Sequence, residues 1–212
     1  MDAHFDSNNL KEFLKTNKPI GKGYFGSCYL YNNDYVLKAM VEESKKKSNR
    51  VIYKEIKEDK KLEEYYFKTY DTNYTTKEER LKETMERLSY TKYSYDLIQG
   101  LAYYYNYCFG TVLKYYKDYL TLAHSSIYNL SQEELDELYH NIEVSYEDLF
   151  NNYIYPLDIR DENIMFNNNL EVKLIDLDDG LTFYNYNKSE KKEEICRNKL
   201  KEIRKDLKRW RL

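Results

Sequence analysis

LDIRDENIMFNNNLEVKLIDLDDG, residues 157–180, is the segment that most constrains the fold of this chain. It contains two short apolar runs, Ile164–Phe166 and Val172–Ile175, with the asparagines Asn167–Asn169 between them. Asparagine favours tight turns, and short apolar runs bounded by turn residues are typical of strands. The segment therefore predicts two short antiparallel strands joined by a turn.

Polar side chains stand at both ends of this predicted hairpin. Because an antiparallel pair returns the chain beside itself, we expect Asn163, before the first strand, to lie next to Asp176, after the second. Mg²⁺ prefers oxygen ligands and takes one or two from protein side chains, so Asn163 and Asp176 are candidate magnesium ligands. Asp158 is a candidate for orienting or deprotonating an attacking hydroxyl. Arg160 is a candidate for stabilising phosphoryl charge.

Ordinary turn chemistry is the alternative interpretation of the same residues. Aspartate and asparagine are frequent in loops because their side chains bond to nearby backbone groups. A second motif is needed to favour a nucleotide site over a simple loop.

That second motif is IGKGYFGSCYLYNNDYVLKAM, residues 20–40, with Gly21, Gly23 and Gly26 in G-x-G-x-x-G spacing. A dinucleotide-binding fingerprint would continue into a helix, whereas these glycines continue into strand-forming residues, a turn at Asn32–Asp34 and a second apolar run. The pattern predicts a β-hairpin that carries the glycines in or near its first strand. Glycines without side chains let backbone N–H groups approach phosphate closely.

A lysine follows in the second strand of this hairpin. Lys38 would supply the point charge expected to neutralise the phosphates of a nucleotide. The charged stretch 42–66 predicts a helix, in which Glu55 is the candidate partner for Lys38 and Glu58 the substitute. A solvated helix glutamate is the alternative for either acid.

Together these motifs resemble those of the protein kinases. GKGYFGSCYL resembles the glycine-rich loop, VLK the strand of the phosphate-binding lysine, LDIRDENIM the catalytic loop and LIDLDDG the metal-binding segment. The resemblance implies that Asp158 is the catalytic aspartate and that Asn163 and Asp176 are the metal ligands. It also implies that Lys38 binds phosphate, with Glu55 as its partner. The implied cofactors are ATP and Mg²⁺.

The departures from the kinase pattern narrow the expected substrate. Pro156 and Leu157 replace the usual His-Arg, and Leu177 and Asp178 replace the Phe-Gly of the metal-binding motif. Asp178 is either a further metal ligand or a residue that faces water. Without an Ala-Pro-Glu sequence after Gly180, we expect a small-molecule or lipid-linked sugar acceptor rather than a general peptide.

The resemblance implies an α+β, bilobal, protein-kinase-like fold with a β-rich N-lobe and a truncated, mainly helical C-lobe. The predicted single domain has an N-lobe at 1–113, a short C-lobe at 114–187 and a basic amphipathic helix at 188–212. In length and layout the chain is similar to the PhoP regulatory network proteins, a family of small bacterial kinase-like proteins.

Further elements fit this layout. Residues 76–88 predict a helix, and 97–114 predict two strands. The expected adenine-binding hinge at 113–117 makes Lys114 and Tyr115 candidate nucleotide contacts. Ser131 and Glu134 form a capping box that predicts the start of a helix. That helix should bury four apolar residues: Leu135, Leu138, Ile142 and Leu149.

Composition limits the classes of protein to which this chain could belong. A chain of 212 residues that is 42% hydrophobic can form a core, and a net charge of −3 favours no polyanionic partner. The 26 tyrosines favour core packing over nucleic-acid stacking. The three cysteines, Cys28, Cys108 and Cys196, are odd in number and widely spaced, which suggests neither a zinc site nor a disulfide framework, so we expect a reducing, cytoplasmic environment.

The C-terminal tail suggests two interpretations. Residues 188–212 carry eleven Lys or Arg against five acids, a net charge of +6. Apolar residues recur at helical spacing, namely Ile195, Leu200, Ile203, Leu207 and Trp210. This amphipathic helix either packs on the C-lobe or contacts an anionic surface, such as the inner face of the membrane or lipopolysaccharide phosphate.

The sequence thus predicts an ATP- and Mg²⁺-dependent phosphotransferase that acts on a hydroxyl-bearing acceptor. The alternatives are a dedicated protein kinase and a nucleotide-binding pseudokinase that regulates a partner.

Overall fold

The computed structural model describes residues 1–23, 26–39, 76–124, 127, 129–156, 158–177 and 186–209. Over these residues the protein is a mixed α+β structure with a strand-rich sheet and four α-helices. The predicted helix at 42–66 lies outside the described residues.

The described strands are β1 (Ala3–Phe5), β2 (Pro19–Gly23), β3 (Gly26–Leu30), β4 (Tyr35–Ala39), β5 (Ile98–Tyr104), β6 (Tyr107–Lys114), β7 (Leu120–Thr121), β8 (Ile164–Phe166) and β9 (Val172–Leu174). The described helices are α1 (Ser7–Thr16), α2 (Lys77–Ser89), α3 (Gln132–Asn151) and α4 (Tyr186–Arg209), together with a 3-10 turn at Asp161–Asn163. The predicted elements at 76–88 and 97–114 are confirmed as α2 and as the pair β5 and β6.

The chain forms two compact units. The first unit comprises Met1–Met85 and Leu97–Tyr115, and the second comprises Glu86–Asp96 and Tyr116–Leu212.

A six-stranded sheet forms the centre of the first unit, in the order β1-β5-β6-β4-β3-β2. The pairs β2–β3, β3–β4, β4–β6 and β5–β6 are antiparallel, and β1 joins β5 in parallel. The hairpin predicted from the glycine motif is present as β3 and β4. Its turn at Asn32–Asp34 is closed by the bond from Tyr31 N–H to the Tyr35 carbonyl at 2.9 Å.

Alternation along the strands separates the two faces of this sheet. One face packs on α1, where Leu37 and Val112 are buried with Leu10. The other face carries Leu101, which packs against Leu81 of α2. The core of the first unit therefore lies on both sides of the sheet.

The N-terminal residues complete the first unit in a way that the sequence patterns did not predict. Asp6 caps α1, and its side chain accepts from the backbone N–H groups of Asn8 and Asn9. Phe5 of β1 packs its ring 5.5 Å from that of Phe13 and 5.9 Å from that of Phe109. The segment thus adds a strand and a covering helix to the sheet.

In the second unit, α3 begins as predicted. Ser131 is the N-cap, and it exchanges capping-box hydrogen bonds with Glu134. The predicted inner face is confirmed, since Leu135, Leu138, Ile142 and Leu149 are all buried. A three-stranded sheet, β7-β8-β9, belongs to the same unit. Asn141 of α3 donates to the carbonyl of Leu170 at 3.0 Å, so the helix supports the turn between β8 and β9.

The basic tail forms α4, which packs on the second unit. Its buried stripe is Cys196, Leu200, Ile203 and Leu207. The prediction that Ile195 belongs to this stripe is wrong, because its side chain is 42% exposed. Ile195 is five positions before Leu200, which turns it away from the face that the 4-3-4 spacing from Cys196 buries. Trp210 lies outside the described residues.

Gly110 should be intolerant of any side chain. A Cβ at this position would lie 2.1 Å from the backbone oxygen of Lys38 in the neighbouring strand. We expect Gly110→Ala to lower the free energy of unfolding by more than about 2 kcal/mol, because β4 and β6 would have to separate. Gly21→Ala is the matched control, since its Cβ would meet only the Cys28 Cβ at 3.8 Å. Equal denaturant midpoints for the two variants would contradict this account.

Arg197 should contribute measurably to the attachment of α4. Its guanidinium forms a bidentate ion pair with Glu147 of α3 and lies 5.2 Å above the Phe150 ring. Both charged side chains are about two-fifths exposed, so solvent screens the pair. We expect Arg197→Ala to lower the free energy of unfolding by about 1 kcal/mol, and added salt to reduce the difference. Lys201→Ala, an exposed change on the same helix, is the control, and an equal loss there would contradict the role of Arg197.

Candidate functional site

The hairpin of β8 and β9 places two candidate residues side by side. Its register pairs Ile164 with Leu174 and Phe166 with Val172. The ladder continues beyond the strands, because the Ile175 N–H donates to the Asn163 carbonyl at 2.9 Å. Asn163 is thereby fixed opposite the residue that precedes Asp176. The hairpin predicted from the three asparagines is confirmed, and it accounts for this adjacency.

Among the described residues, the side chain of Asn163 forms hydrogen bonds through its nitrogen and not through its oxygen. It is 6% exposed, and its Nδ2 donates to the Asp158 backbone oxygen at 2.9 Å and to the Asp158 Oδ2 at 3.2 Å. An amide that donates through nitrogen has its oxygen left as the acceptor. Asn163 Oδ1 is therefore the atom that could bind a cation.

Asp176 adopts a left-handed backbone conformation. Its φ is +61°, which costs energy for any residue with a Cβ, although aspartate tolerates it better than most. Backbone strain of this kind persists where surrounding structure enforces it and is concentrated at functional sites. Here the bond between Ile175 and Asn163 fixes the preceding residue. The sequence contained no signal for this conformation.

An ion pair anchors β9, the strand that leads to Asp176. Lys173 Nζ lies 3.1 Å from Asp96 Oδ1 and donates to the Tyr93 carbonyl at 3.1 Å. The Tyr116 hydroxyl donates to the same Asp96 oxygen at 3.1 Å. Burial and the Asp96 carboxylate raise the pKa of Tyr116, so this hydroxyl stays protonated as a donor. These contacts hold β9 to the rest of the second unit.

Asp158 and Arg160 form an ion pair in the loop before the hairpin. Arg160 Nη2 lies 2.9 Å from Asp158 Oδ2, and both side chains are half-exposed. The same arginine has Nε 3.9 Å from Glu162. Since Oδ2 of Asp158 already receives Arg160 and Asn163, its Oδ1 is the oxygen best placed to accept a proton from a ligand. The loop geometry therefore orients the aspartate that the sequence singled out.

In the first unit, the glycine motif and Lys38 share a run of cross-strand neighbours. Gly21 is paired with Cys28, Cys28 with Lys38, and Lys38 with Thr111. Gly23 is likewise paired with Gly26 at the end of the β2–β3 ladder. Directly paired residues project to the same face of a sheet. Lys38 is 9% exposed, and its side chain therefore lies buried on the same face of the sheet as Gly21 and Cys28.

Thr111 is a candidate that the sequence analysis missed. Its hydroxyl is fully buried beside Lys38 and has no hydrogen-bond partner among the described residues. A buried hydroxyl is costly unless it is bonded. Alternation along β6 places Thr111 on one face of the sheet, but only the strand register shows that Lys38 is its neighbour.

Lys114 and Tyr115 use their backbone donors within the first unit. The Lys114 N–H donates to the Leu97 carbonyl at 2.9 Å, and the Tyr115 N–H donates to the Asp34 carbonyl at 2.8 Å. Lys114 Nζ also lies 5.6 Å above the Tyr35 ring. Carbonyl oxygens and side chains are therefore the groups that these two residues could offer a nucleotide base.

The structure brings the candidates together in two sets, one in each unit. Gly21, Gly23, Gly26, Lys38, Lys114 and Tyr115 belong to the first unit. Asp158, Arg160, Asn163 and Asp176 belong to the second. Three further candidates, Glu55, Glu58 and Asp178, lie outside the described residues.

The described residues contain neither a cluster of metal-ligating side chains nor a membrane-spanning helix. No group of three or more His, Cys, Asp or Glu side chains in this part of the chain could hold a metal ion. Mg²⁺ bound by Asn163 and Asp176 would thus depend on phosphate and water oxygens for the rest of its shell. None of the helices described here is long and apolar enough to cross a bilayer.

Asp161 should destabilise the fold at neutral pH. Burial raises the pKa of its carboxyl, and the nearby Glu162 and Asp206 act in the same direction. The folded state therefore binds this proton more tightly, so stability falls as the pH rises through the folded pKa. We expect Asp161→Asn to raise Tm at pH 7, and the gain to shrink as the pH falls toward the ordinary value of 3.8.

The exposed Asp118→Asn is the matched control for that measurement. It makes the same chemical change in a solvated turn, so it should leave Tm unchanged across the pH range. A gain at Asp161 that persisted undiminished in acid would contradict the titration account.

Comparison with known proteins leaves the function to be argued from this geometry. No family model matches the chain, and a search of the curated proteins finds no match. The arrangement of Asp158, Asn163 and Asp176 is therefore the main indication of function in this chain.

Proposed function

We propose that this protein is an ATP- and Mg²⁺-dependent phosphotransferase with a bilobal, protein-kinase-like fold, of the small atypical kind found in bacteria. The observation that carries the proposal is the double hydrogen bond from Asn163 Nδ2 to Asp158. It joins the candidate proton acceptor to a residue that the hairpin fixes beside Asp176. The bond to the Asp158 backbone oxygen is of the kind that asparagine makes in ordinary loops, whereas the second bond, to Asp158 Oδ2, also orients the carboxylate.

The residues of the second unit suit a bound magnesium nucleotide. Mg²⁺-ATP would supply the transferable phosphoryl group and the charge that neutralises its oxygens. Asn163 Oδ1 and the Asp176 carboxylate are hard oxygen donors of the type that Mg²⁺ prefers. The left-handed backbone at Asp176 fixes where its side chain leaves the chain. Such preorganised ligands reduce the reorganisation that catalysis requires.

Asp158 has the role of orienting the acceptor. Its Oδ2 is occupied by Arg160 and Asn163, and its half-exposed carboxylate remains accessible through Oδ1. A hydroxyl that donates to Oδ1 would be aligned for attack, and Asp158 would take its proton. Arg160 holds the carboxylate and keeps a cation beside it.

The first unit supplies the groups that would hold the phosphates. Gly21 and Gly23 of β2 carry no side chains, so phosphate oxygens could approach their backbone N–H groups. Lys38 adds a buried positive charge on the same face. The negative charge of a triphosphate would interact favourably with this ammonium group.

A small acceptor fits better than a peptide. Only eight residues separate Leu177, the last described residue of the metal loop, from Tyr186 at the start of α4. That length is too short for a separate helical region that binds peptides. A sugar, a lipid-linked sugar or another small hydroxyl compound is therefore the acceptor class that we propose.

The decisive prediction concerns Asp158. We expect Asp158→Asn to lower kcat for ATP turnover by at least about 100-fold, because the proton acceptor is lost, while ATP still raises Tm in the presence of Mg²⁺. Asp118→Asn should retain full turnover. Transfer of labelled phosphate into fractionated extract, measured separately in protein, lipid and metabolite fractions, identifies the acceptor. Equally little turnover by the wild type and Asp158→Asn, with ATP still stabilising both, would contradict the enzyme proposal and favour a nucleotide-binding pseudokinase.

A further inference from the structure

The described residues of the segment that carries Asp158, 152–156 and 158–160, form neither a helix nor a strand. This segment follows the end of α3 at Asn151 and reaches the 3-10 turn at Asp161–Asn163. Its apolar members Ile154 and Ile159 are nevertheless buried. A functional loop needs support from rigid elements if its side chains are to be held accurately.

The tail helix α4 provides one such support. Cys196 is 0% exposed, and its thiol donates to the backbone oxygen of Pro156 at 3.2 Å. Pro156 lies two residues before Asp158. Burial raises the pKa of the Cys196 thiol to about 11, so the sulfur keeps its proton and remains a donor at neutral pH. A buried carbonyl of the loop is thereby satisfied from the tail.

The next residue of α4 strengthens the same attachment. Arg197 pairs with Glu147 of α3 and lies over the ring of Phe150. The Phe150 ring stacks in turn on the ring of Tyr155, with centroids 5.7 Å apart and an interplanar angle of 21°. Two successive residues of α4 therefore support the loop. Cys196 bonds to Pro156 directly, and Arg197 contacts Tyr155 indirectly, through the Phe150 ring.

From Pro156 the support extends to the candidate ligands. The backbone oxygen of Asp158 accepts from Asn163 Nδ2, and the Asn163 carbonyl accepts from the Ile175 N–H. A displacement of the loop at Pro156 would reach Asn163 through a single residue and a hydrogen bond. Small displacements of catalytic groups cost large factors in rate.

We propose that Cys196 is a positioning residue for Asp158, and that α4 belongs to the catalytic machinery of the second unit rather than forming a detachable basic tail. The catalytic part of this inference rests on the phosphotransferase function proposed above. The structural part, that Cys196 holds the loop from Pro156 to Asn163, does not depend on that function.

Two variants of Cys196 test the proposal. Cys196→Ala removes the donor, and we expect it to lower kcat about tenfold or more while KM for ATP stays unchanged. It should also speed amide hydrogen exchange at Asn163 and Ile175. Cys196→Ser keeps a donor, so it should recover part of both losses.

Cys108→Ala is the matched control, because it removes another buried thiol, in this case from the first unit. It should cost comparable stability and leave kcat and the exchange rates at Asn163 and Ile175 as in the wild type. The positioning role is overturned if Cys196→Ala and Cys108→Ala behave alike in both measurements. If the wild type shows no ATP turnover, the proposed function fails, and the hydrogen-exchange comparison alone then decides whether Cys196 holds the loop.

Discussion

The hydrogen bonds of Asn163 are the interaction on which the second unit's candidate site depends. Through Nδ2 this residue holds Asp158, and through its backbone oxygen it holds the residue before Asp176. Both interactions are possible because Asn163 lies where a 3-10 turn passes into β8. One buried residue therefore links the loop at Asp158 to the loop at Asp176 through its side chain and its backbone. Removing a partner from such a buried network costs more than the bond itself contributes.

A different principle organises the first unit. There the sheet register, rather than a polar network, determines which side chains are neighbours. Lys38 and Thr111 face one side, while Leu37 and Val112 face the other. The sheet buries apolar groups against α1 and presents a cation on the opposite surface. Burial of that cation raises its interaction energy with any anion, since the local dielectric is low.

Local patterns predicted the parts of the fold that local chemistry determines. The three asparagines predicted the turn between β8 and β9, and Ser131 with Glu134 predicted the start of α3. One member of the apolar face of α4 was predicted wrongly. Ile195 is more hydrophobic than Cys196, but Cys196 is the residue that lies on the buried 4-3-4 stripe. The N-terminal strand β1 was missed because its partner β5 is distant in the sequence, whereas the equally short β8 and β9 are joined by a recognisable turn. Long-range contacts, such as the Cys196 bond to Pro156 or the parallel pairing of β1 with β5, leave no trace in local spacing.

The left-handed backbone of Asp176 sets stability against chemistry at one position. Glycine adopts this conformation without steric cost, whereas aspartate adopts it with strain. A glycine here would relieve the strain and at the same time remove the carboxylate. Selection for folding stability alone would therefore favour replacement of this residue. If the Asp176 carboxylate binds a metal ion as proposed, the backbone strain at this position is the stability cost of that role.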